Sequence, residues 1–247
     1  MSQRIVITGA SSGIGAALAW EYAGRGYDIG LCARRAENME VLCTELHARY
    51  PSQQFIYETL DVNNLESVAP VLKTLAARLG SIDVLIANAG VTGVRRTGNG
   101  KLDIDVGIIQ TNLLGAIATI DAAVAIFREQ DRGHLVGISS FSAFRGIPGS
   151  AAYSASKAAL SNYLEAVRTE LHKKNIQVTT IHPGFIKTDL ADNMERFPFV
   201  IEAPKAARLM AEAIRKRKKE ATVPAWPWNL LRVLMKKMPD SVVAKMF

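Results

Sequence analysis

A glycine-rich turn near the start of the chain constrains the fold more than any other feature. The β-branched run 4–8 leads directly into Gly9-Ala10-Ser11-Ser12-Gly13-Ile14-Gly15, and good helix-forming residues follow. In such a strand–turn–helix unit, the free N–H groups and the dipole of the helix N-terminus favour an anion. Glycines let the backbone approach a pyrophosphate. We interpret residues 4–22 as a nucleotide-binding unit, although G-x-x-x-G-x-G matches neither G-x-G-x-x-G nor a P-loop; a merely tight turn is the alternative.

Apolar runs and helical stretches alternate along the chain after this turn. The apolar runs are nearly continuous, which is typical of parallel strands covered by helices on both faces of a sheet. Right-handed crossovers would bring the carboxyl ends of the strands to one edge, where ligands bind. We therefore predict a single α/β domain over residues 1–225, with a doubly wound, Rossmann-like parallel sheet of six or seven strands. A basic amphipathic segment follows at 226–247. The predicted strands cover 4–8, 28–33, 55–60, 82–87, 134–138, 176–181 and 221–224, and the later predicted helices cover 65–79, 102–130 with a break near Gly115, 150–174 and 203–218.

Charge is distributed unevenly along the chain. Residues 1–194 carry 18 basic and 18 acidic side chains, whereas residues 195–247 carry 12 basic and 5 acidic ones. The last fifth of the chain therefore holds the whole net charge of +7. This distribution argues against nucleic acid as a partner bound over the fold, and it predicts a basic C-terminal surface.

Cysteine content and hydropathy narrow the class of protein further. Cys32 and Cys43 have neither metal-ligand spacing nor the pattern of a disulfide framework, so we expect no metal site. The apolar runs are interrupted short of the ~18 residues that a membrane span needs, and Met1 is followed at once by a strand-like run. We therefore expect neither a spanning helix nor a signal peptide, and a cytoplasmic location.

The end of the second predicted strand indicates which dinucleotide is bound. Residues 28–33 are followed by Arg34 and Arg35, with no acidic residue at the strand end. In a dinucleotide fold an acid at this place binds the ribose 2′-hydroxyl of NAD, whereas arginine suits the 2′-phosphate of NADP. We therefore predict NADP(H), with Arg34 as the better candidate. A solvated arginine pair at the start of a helix is the alternative.

A tyrosine and a lysine four residues apart are the main candidates for chemistry. On a helix, Tyr153 and Lys157 would project from one face with about 5–6 Å between their Cβ atoms. A free phenol titrates near pH ~10, and a neighbouring ammonium would lower that pKa toward the range useful for proton transfer. Ser140 follows the fifth strand at the same sheet edge. Asn112 lies in predicted helix 102–130, where a structural amide and a catalytic group are both open readings.

Together these motifs resemble the short-chain dehydrogenase/reductase family. Each motif is weak alone, but their order and spacing between residue 4 and about residue 190 are highly specific. The matching residues are Thr8, Gly9, Gly13, Gly15, Asp61, Asn88, Ala89, Gly90, Asn112, Ser140, Tyr153, Lys157, Pro183 and Gly184.

The resemblance implies a role for each catalytic candidate. Tyr153 would donate a proton to a carbonyl oxygen or accept one from an alcohol, and Lys157 would lower its pKa and hold the nicotinamide ribose. Ser140 would hydrogen-bond the substrate oxygen. Asn112 would hold a water that links Lys157 to solvent. Ser139 and His182 are expected to be structural.

The resemblance also implies the cofactor contacts and the assembly. Two long helices, near 112–130 and 150–174, would pair between subunits of a homodimer or homotetramer. The residues at the pyrophosphate would be Gly9, Ser11, Ser12, Gly13, Ile14 and Gly15, those at the adenine Asp61 and Val62, those at the ribose Asn88, Ala89 and Gly90, and those following the sixth strand Pro183, Gly184, Ile186 and Thr188, the last two beside the carboxamide.

Two C-terminal segments bear on the substrate. By resemblance, residues 189–201, with Met194, Phe197 and Phe199, would cover an apolar or bulky substrate. Segment 226–247 combines two tryptophans, apolar residues at helical spacing and interspersed basic residues, the pattern of a helix on an anionic membrane. A helix that caps the pocket or forms a subunit interface is the alternative. The first reading would add peripheral contact with the inner face of a membrane.

The expected activity is oxidoreduction of a carbonyl or secondary alcohol, apolar or lipid-like in character. Three other functions stay open: a nucleotide sensor without turnover, a membrane-surface binding protein, and a reductase or epimerase of the same family that acts on a lipid-linked sugar.

Overall fold

Seven parallel strands form the main sheet of this computed structural model, which describes residues 2–188 and 197–246. They are β1 (Arg4–Thr8), β2 (Asp28–Ala33), β3 (Phe55–Thr59), β4 (Val84–Ala87), β5 (Gly133–Ile138), β6 (Ile176–Pro183) and β9 (Glu220–Val223), while β7 (Ile186–Lys187) and β8 (Ile201–Glu202) pair separately. The strand order is β3-β2-β1-β4-β5-β6-β9, and every neighbouring pair is parallel. The order reverses between β1 and β4, which creates the crevice where ligands bind in such sheets. The predicted doubly wound, Rossmann-like fold is confirmed.

Helices cover both faces of this sheet. They are α1 (Gly13–Ala23), α2 (Ala36–Arg49), α3 (Leu65–Leu79), α4 (Leu102–Ile109), α5 (Ala116–Glu129), α6 (Ala151–Glu170), α7 (Ala203–Arg215), α8 (Trp228–Lys237) and α9 (Asp240–Met246). Residues alternate between faces along each strand, so Ile7 packs with α1, α2 and α7, whereas Val6 packs with α3, α5 and α6. Two apolar layers therefore hold the sheet between helices and fix the positions of the strand ends.

The helical stretch 102–130 differs from its prediction. It is not broken at Gly115, because a π-helical segment, Gln110–Gly115, joins α4 to α5. A Cβ at Gly115 would lie 2.7 Å from Val62 Cγ2, so glycine allows the helix to approach the residues that follow β3. The widened turn and this close approach both fall beside Asn112.

Other helix boundaries also move from their predicted positions. Helix α6 ends at Glu170 rather than 174, and α7 ends at Arg215 rather than 218. In both cases a turn follows before the next strand begins. Chain reversal between neighbouring elements needs these residues, although their composition is compatible with a longer helix.

The stretch Leu102–Glu129 is apolar enough, over 28 residues, to cross a membrane by length and composition, with a mean hydropathy of 1.5 in its best window. The sequence expectation of no such stretch was therefore too strict. Half of that window is buried in the fold, where α5 packs against β4 and α3. Length and composition alone are weak grounds for a span, since a core helix meets the same criterion.

The C-terminal segment packs on the carboxyl edge of the sheet. In α8, Trp228 and Met235 are buried against Phe141, with Phe185 alongside. Asp240 at the start of α9 forms an ion pair with Arg145. The division into residues 1–225 and 226–247 stays a prediction, but α8 lies against the loops that follow β5 and β6.

Candidate active site

The glycine turn between β1 and α1 adopts a conformation that only glycine takes readily. Gly9 and Gly13 have φ values of +66° and +56°. A Cβ at Gly9 would lie 2.6 Å from Ala89 Cα, and one at Gly15 would lie 2.8 Å from Asn88 Nδ2 and collide with the carbonyl oxygen of Gly9. These close approaches press the turn against the end of β4.

The turn opens toward the N-terminus of α1. Ser12 is the N-cap residue and has extended backbone angles, but its hydroxyl makes no capping hydrogen bond to the helix. The first N–H groups of α1 are therefore free of a side-chain cap, as an anion site at this position requires. Ser11, Ser12, Gly13 and Ile14 are all partly exposed beside these groups.

Thr8 and Asn88 join the ends of the two central strands. Thr8 Oγ1 accepts hydrogen bonds from the backbone N–H groups of Asn88 and Ala89, at 3.1 and 3.2 Å. Asn88 Nδ2 in turn donates to the carbonyl oxygens of Thr8 and Gly9, at 2.9 and 3.2 Å. The predicted pyrophosphate turn and the predicted ribose segment 88–90 are thus one hydrogen-bonded unit.

The two arginines after β2 have different surroundings. Both are exposed. Arg35 donates from its guanidinium to Ser11 Oγ at 3.0 Å and to Ser12 Oγ at 2.6 Å, so its charge lies on the glycine turn. Arg34 directly follows the last residue of β2 and is exposed. The pair therefore brings two positive charges to the predicted adenosine side of the crevice.

Asp61 and Val62 follow β3 on the same side of the sheet. Asp61 Oδ1 accepts from the N–H of Asn63 at 3.0 Å, which shapes the turn. The Val62 side chain is only 6% exposed and packs on Gly115. The Val62 side chain therefore belongs to the packing of the fold, and the adenine contact of Asp61 and Val62 stays a prediction.

Ser140, Tyr153 and Lys157 come together at the carboxyl edge of β5. The hydroxyl of Tyr153 lies close enough to that of Ser140 for the two to interact, and Lys157 Nζ lies 5.8 Å from the centre of the Tyr153 ring. A Cβ at Gly90 would lie 3.5 Å from Lys157 Nζ and 3.2 Å from Asn112 Oδ1. The predicted ribose segment therefore borders Lys157 and Asn112 of the predicted catalytic group.

Burial controls the protonation of this group. Lys157 is 4% exposed and donates from Nζ to the carbonyl oxygen of Ile138 at 2.9 Å. Desolvation lowers its pKa from 10.5 to about 8. Burial raises the pKa of Tyr153, which the Ser140 hydrogen bond opposes. Desolvation of the phenol therefore dominates the Tyr153 pKa and shifts it upward, opposite to the lowering by Lys157 that the sequence predicted.

Asn112 is a buried amide with a partner on each of its two polar atoms. It is completely buried, Oδ1 accepts from the N–H of Val91 at 2.7 Å, and Nδ2 donates to the carbonyl oxygen of Val91 at 2.8 Å. Nδ2 also lies 3.4 Å from Ser156 Oγ. The side chain thus anchors the loop after β4, which is the structural one of the two readings left open by the sequence. The water-holding role implied by the resemblance stays a prediction.

The two neighbouring serines point in different directions. Ser139 is 2% exposed and its Oγ donates to the Lys157 carbonyl oxygen at 3.0 Å, which ties β5 to α6. Ser140 is partly exposed and accepts from Ser142 Oγ at 2.8 Å. The buried ring of His182 packs on Phe144, and burial lowers its pKa. Ser140 is accordingly the serine available to a ligand.

Aromatic side chains form one wall beside Ser140. The Trp228 ring contacts Phe141 and Phe185, with centroids 4.5 and 5.1 Å apart, and Phe185 contacts Phe197 at 4.5 Å. Thr188 lies next to Gly13, whose Cβ would be 3.3 Å from Thr188 Cβ, and Ile186 is buried. Pro183 ends β6 and Gly184 follows it under Trp228. Residues 189–196, including Met194 of the predicted substrate segment, lie outside the described residues.

Comparison with known proteins identifies the family to which the chain belongs. The family model described as short chain dehydrogenase matches residues 3–198. The chain belongs to the short-chain dehydrogenase/reductase family. It is 39% identical over 244 residues to an uncharacterized oxidoreductase of Mycobacterium tuberculosis, covering 98% of this chain and 96% of the relative. It is 37% identical to an uncharacterized oxidoreductase of Myxococcus xanthus, with the same coverage of both chains.

Solved structures have the same fold. An alcohol dehydrogenase of Thermococcus sibiricus complexed with 5-hydroxy-NADP is 26% identical, with a TM-score of 0.81 over 90% of this chain and 96% of that one. A short-chain dehydrogenase/reductase of Burkholderia phymatum in complex with NAD is 21% identical, with a TM-score of 0.86 over 100% of this chain and 96% of that one. One of these two proteins was solved with an NADP derivative and the other with NAD, and both share the fold of this chain.

The glycine turn of this family member fits such a dinucleotide. Positive φ values at Gly9 and Gly13 and the uncapped N-terminus of α1 leave backbone N–H groups for a pyrophosphate. No group of three or more potential metal-ligating side chains occurs in the parts of the chain described here.

Several positioning groups of this short-chain dehydrogenase/reductase were missed from the sequence. They are the Ile138 carbonyl that holds Lys157, the Val91 backbone that holds Asn112, and Ser142, which donates to Ser140. Backbone groups carry no sequence signal. Trp228 did carry a sequence signal, since an aromatic residue at the start of an amphipathic segment predicts that one helix face is buried. That signal does not predict which loop the face packs against.

Proposed function

We propose that the protein is an NADP(H)-dependent oxidoreductase that interconverts a carbonyl compound and a secondary alcohol, with Tyr153 as general acid/base. The observation that supports this most is that Tyr153 lies near both Ser140 and Lys157, with Lys157 Nζ beside Gly90. The glycine turn lies at the same sheet edge. A dinucleotide on that turn would supply the hydride, and a proton donor at the strand ends would supply the proton, of one carbonyl reduction.

The protonation state of Tyr153 fits the proton donor that a reduction requires. Burial raises the Tyr153 pKa, so the phenol is protonated at neutral pH and its Oη would donate to the carbonyl oxygen of a substrate. Ser140 Oγ would donate a hydrogen bond to the same oxygen as negative charge develops there. Lys157, with a pKa of about 8, is an ammonium at neutral pH and would stabilise the phenolate that remains. A bound nicotinamide would supply or accept the hydride.

Return of the proton to Tyr153 needs a route from solvent. Lys157 Nζ and the Asn112 amide border the same glycine, Gly90. We propose that Asn112 holds a water beside Lys157, as the family resemblance implies, and that Lys157 passes the proton on to the Tyr153 oxygen.

An apolar or lipid-like substrate is proposed on the basis of the aromatic wall. Phe141 follows Ser140 directly in the chain, and Phe185 follows Gly184. Trp228 packs against both rings, so α8 lies against them. A substrate whose oxygen reaches Ser140 would therefore place its carbon skeleton beside aromatic rings, which favours apolar contact over hydrogen bonding.

The proposed preference for NADP(H) rests on Arg34 and Arg35. The Arg35 guanidinium is hydrogen-bonded to Ser11 and Ser12, and Arg34 is exposed at the strand end. A guanidinium there suits a 2′-phosphate, and no carboxylate at the strand end competes for a 2′-hydroxyl.

A homodimer or homotetramer is proposed from the surface of α4. Leu102 and Val106 are 64% and 58% exposed, and Leu114 in the π-helical segment is 39% exposed. Leu114 lies in the stretch 112–130 that the family resemblance assigns to subunit contacts, and Leu102 and Val106 lie on α4, which leads into it. Size-exclusion chromatography with light scattering should give a mass of two or four chains; a monomer at micromolar concentration contradicts it.

Nucleotide titration is the experiment that tests the proposed function. NADPH and NADH are added to the wild type and followed by fluorescence, and a panel of ketones and aldehydes of increasing apolar surface is then assayed for NADPH consumption. Tyr153→Phe should bind NADPH as the wild type does but consume none. Binding without consumption by the wild type, across the panel, would indicate a nucleotide sensor.

Product analysis separates the remaining alternative within the family. An epimerase of a lipid-linked sugar would convert its substrate with no net change in NADPH, because hydride leaves and returns in one cycle. A reductase consumes one NADPH for each molecule of alcohol that it forms.

A further inference from the structure

The helix α8 has two apolar faces. Trp228 and Met235 are each 2% exposed and point into the protein. On the opposite side, Leu230, Val233 and Leu234 are 49%, 52% and 46% exposed. These three residues recur at the spacing of one helix face. An ordinary surface helix would carry polar residues there, so the outer face is not explained by the packing of the fold.

Neighbouring residues extend the outer face at both ends. Trp226 is 75% exposed just before the helix begins. Lys237 is exposed and lies one turn beyond Val233 and two turns beyond Leu230, where its aliphatic stem continues the stripe. We call Trp226, Leu230, Val233, Leu234 and Lys237 the outer stripe.

Positive charge flanks the outer stripe. The cations of Arg232 and Lys236 lie 5.8 and 5.9 Å from the centre of the Phe144 ring, on one side of the helix. Residues 226–239 contain no aspartate or glutamate. Asp240, the next acid along the chain, is paired with Arg145. The exposed apolar stripe is therefore bordered by cations, with no neighbouring carboxylate from its own helix.

This charge decides between possible occupants of the stripe. Two copies of the chain that met through this face would bring the cations of two α8 helices together, and no acid on α8 would offset them. An anionic lipid surface complements both features, because acyl chains take up the apolar residues and headgroups attract the cations.

We propose that α8 docks on anionic membrane surfaces through the outer stripe. The helix would lie in the plane of the interface, with Leu230, Val233 and Leu234 toward the acyl chains and Lys237 reaching the headgroups. Arg232 and Lys236 would add attraction from the flank.

Docking would bring the catalytic edge close to the lipid. The inner face of α8 packs on Phe141 and Phe185, the residues that follow Ser140 and Gly184. Only the thickness of one helix, about 10 Å, would separate the aromatic wall from the membrane. An apolar substrate dissolved in the bilayer could then enter beside α8; this consequence rests on the proposed function, whereas the docking itself does not.

Vesicle co-sedimentation of the full chain tests the docking without any substrate. The wild type should sediment with phosphatidylcholine vesicles that contain phosphatidylserine, and not with phosphatidylcholine alone. Raising the salt should weaken binding strongly, because each lysine or arginine near the surface contributes about 1 kcal/mol of screened attraction. Absence of binding to the anionic vesicles at low salt overturns the proposal.

Variants of exposed residues locate the surface. Leu230→Ser with Leu234→Ser, and separately Lys236→Glu with Lys237→Glu, should each reduce binding at least tenfold. The matched control is Val41→Ser with Leu65→Ser, two exposed apolar residues on α2 and α3, which are 58% and 41% exposed. Equal binding by the stripe variants and the wild type, or an equal loss in the control, contradicts the proposal.

Two further readouts keep the outcomes separate. Each variant should retain wild-type thermal unfolding and NADPH binding, which excludes misfolding as the cause of a loss. If Leu230→Ser with Leu234→Ser instead reduces the subunit number by light scattering, a second copy covers the stripe and membrane docking is wrong. A chain that binds vesicles but reduces no carbonyl would refute the proposed function alone.

Discussion

The indole ring of Trp228 lies directly on the backbone of Gly184. A Cβ at residue 184 would be 2.5 Å from Trp228 Nε1, closer than real side chains approach one another. Gly184 follows Pro183, the last residue of β6, and Trp228 is the first residue of α8. The contact therefore couples the C-terminal helix to the turn beside the candidate active site.

Gly184→Ala should displace α8. We expect a loss of about 1–3 kcal/mol in the free energy of unfolding, the usual cost of overpacking, measured by urea denaturation. Combined with Trp228→Ala, the methyl group gains space, so the double variant should lose less than the sum of the single losses. Gly107→Ala is the control, because no atom lies within 4 Å of its Cβ position. Additive losses would show that the two residues are not coupled.

Ser140→Ala and Ser139→Ala should separate chemistry from stability. Loss of the Ser140 hydroxyl should lower kcat by roughly 100- to 1000-fold, as for other donors to a developing oxyanion. It should cost about 1 kcal/mol of stability, because this hydroxyl also accepts from Ser142. Loss of the buried Ser139 hydroxyl, which bonds the Lys157 carbonyl, should cost about 1 kcal/mol of stability and leave most activity. An inactive but stable Ser139→Ala enzyme would show that Ser139, rather than Ser140, contacts the substrate.

Burial of Lys157 should make stability depend on pH. Its pKa falls from 10.5 when exposed to about 8 in the fold, so between these values the unfolded chain binds more protons than the folded chain. The free energy of unfolding should therefore rise with pH across this window, by about 3 kcal/mol from this group. The cost of the buried charge is fully present below pH 8.

The comparison of wild type with Lys157→Met isolates that effect. Tyrosines and cysteines titrate in the same range in both proteins, so the difference between their unfolding free energies should change with pH in favour of the wild type from about pH 8 to 10.5. Denaturant unfolding at a series of pH values measures it. A difference that is constant over the window means that Lys157 is not desolvated.

Arg34→Ala and Arg35→Ala should affect the two dinucleotides differently. Loss of a charged hydrogen bond to a 2′-phosphate costs roughly 1.5–3 kcal/mol, so Arg34→Ala should weaken NADPH at least tenfold and leave NADH unchanged. Arg35 contacts Ser11 and Ser12 on the turn, so Arg35→Ala should weaken both.

Fluorescence titration of both variants checks this assignment. A change in the NADPH-to-NADH ratio only in Arg35→Ala would move the 2′-phosphate contact to Arg35. Equal affinity of the wild type for both nucleotides would refute the proposed NADP(H) preference.

Local patterns predicted most of the fold and the membership of the site. The strands β1 and β2 were predicted with their observed bounds, because β-branched and apolar runs ending at glycine or charge are read within a few residues. The order of motifs from Gly9 to Gly184 was sufficient to identify the family that the comparisons establish. Helix ends such as Glu170 were less certain, since the residues beyond them are equally compatible with helix.

Residue spacing by itself determined that Tyr153 and Lys157 share a helix face and that Ser140 meets them at a strand end. Only the tertiary structure decided their protonation, because desolvation depends on what packs around a group: burial raises the pKa of Tyr153 and lowers that of Lys157. It likewise decided that the Asn112 amide is held by the Val91 backbone and that Trp228 lies on Gly184. These contacts join residues far apart in the chain, and they arise from close packing rather than from any local preference.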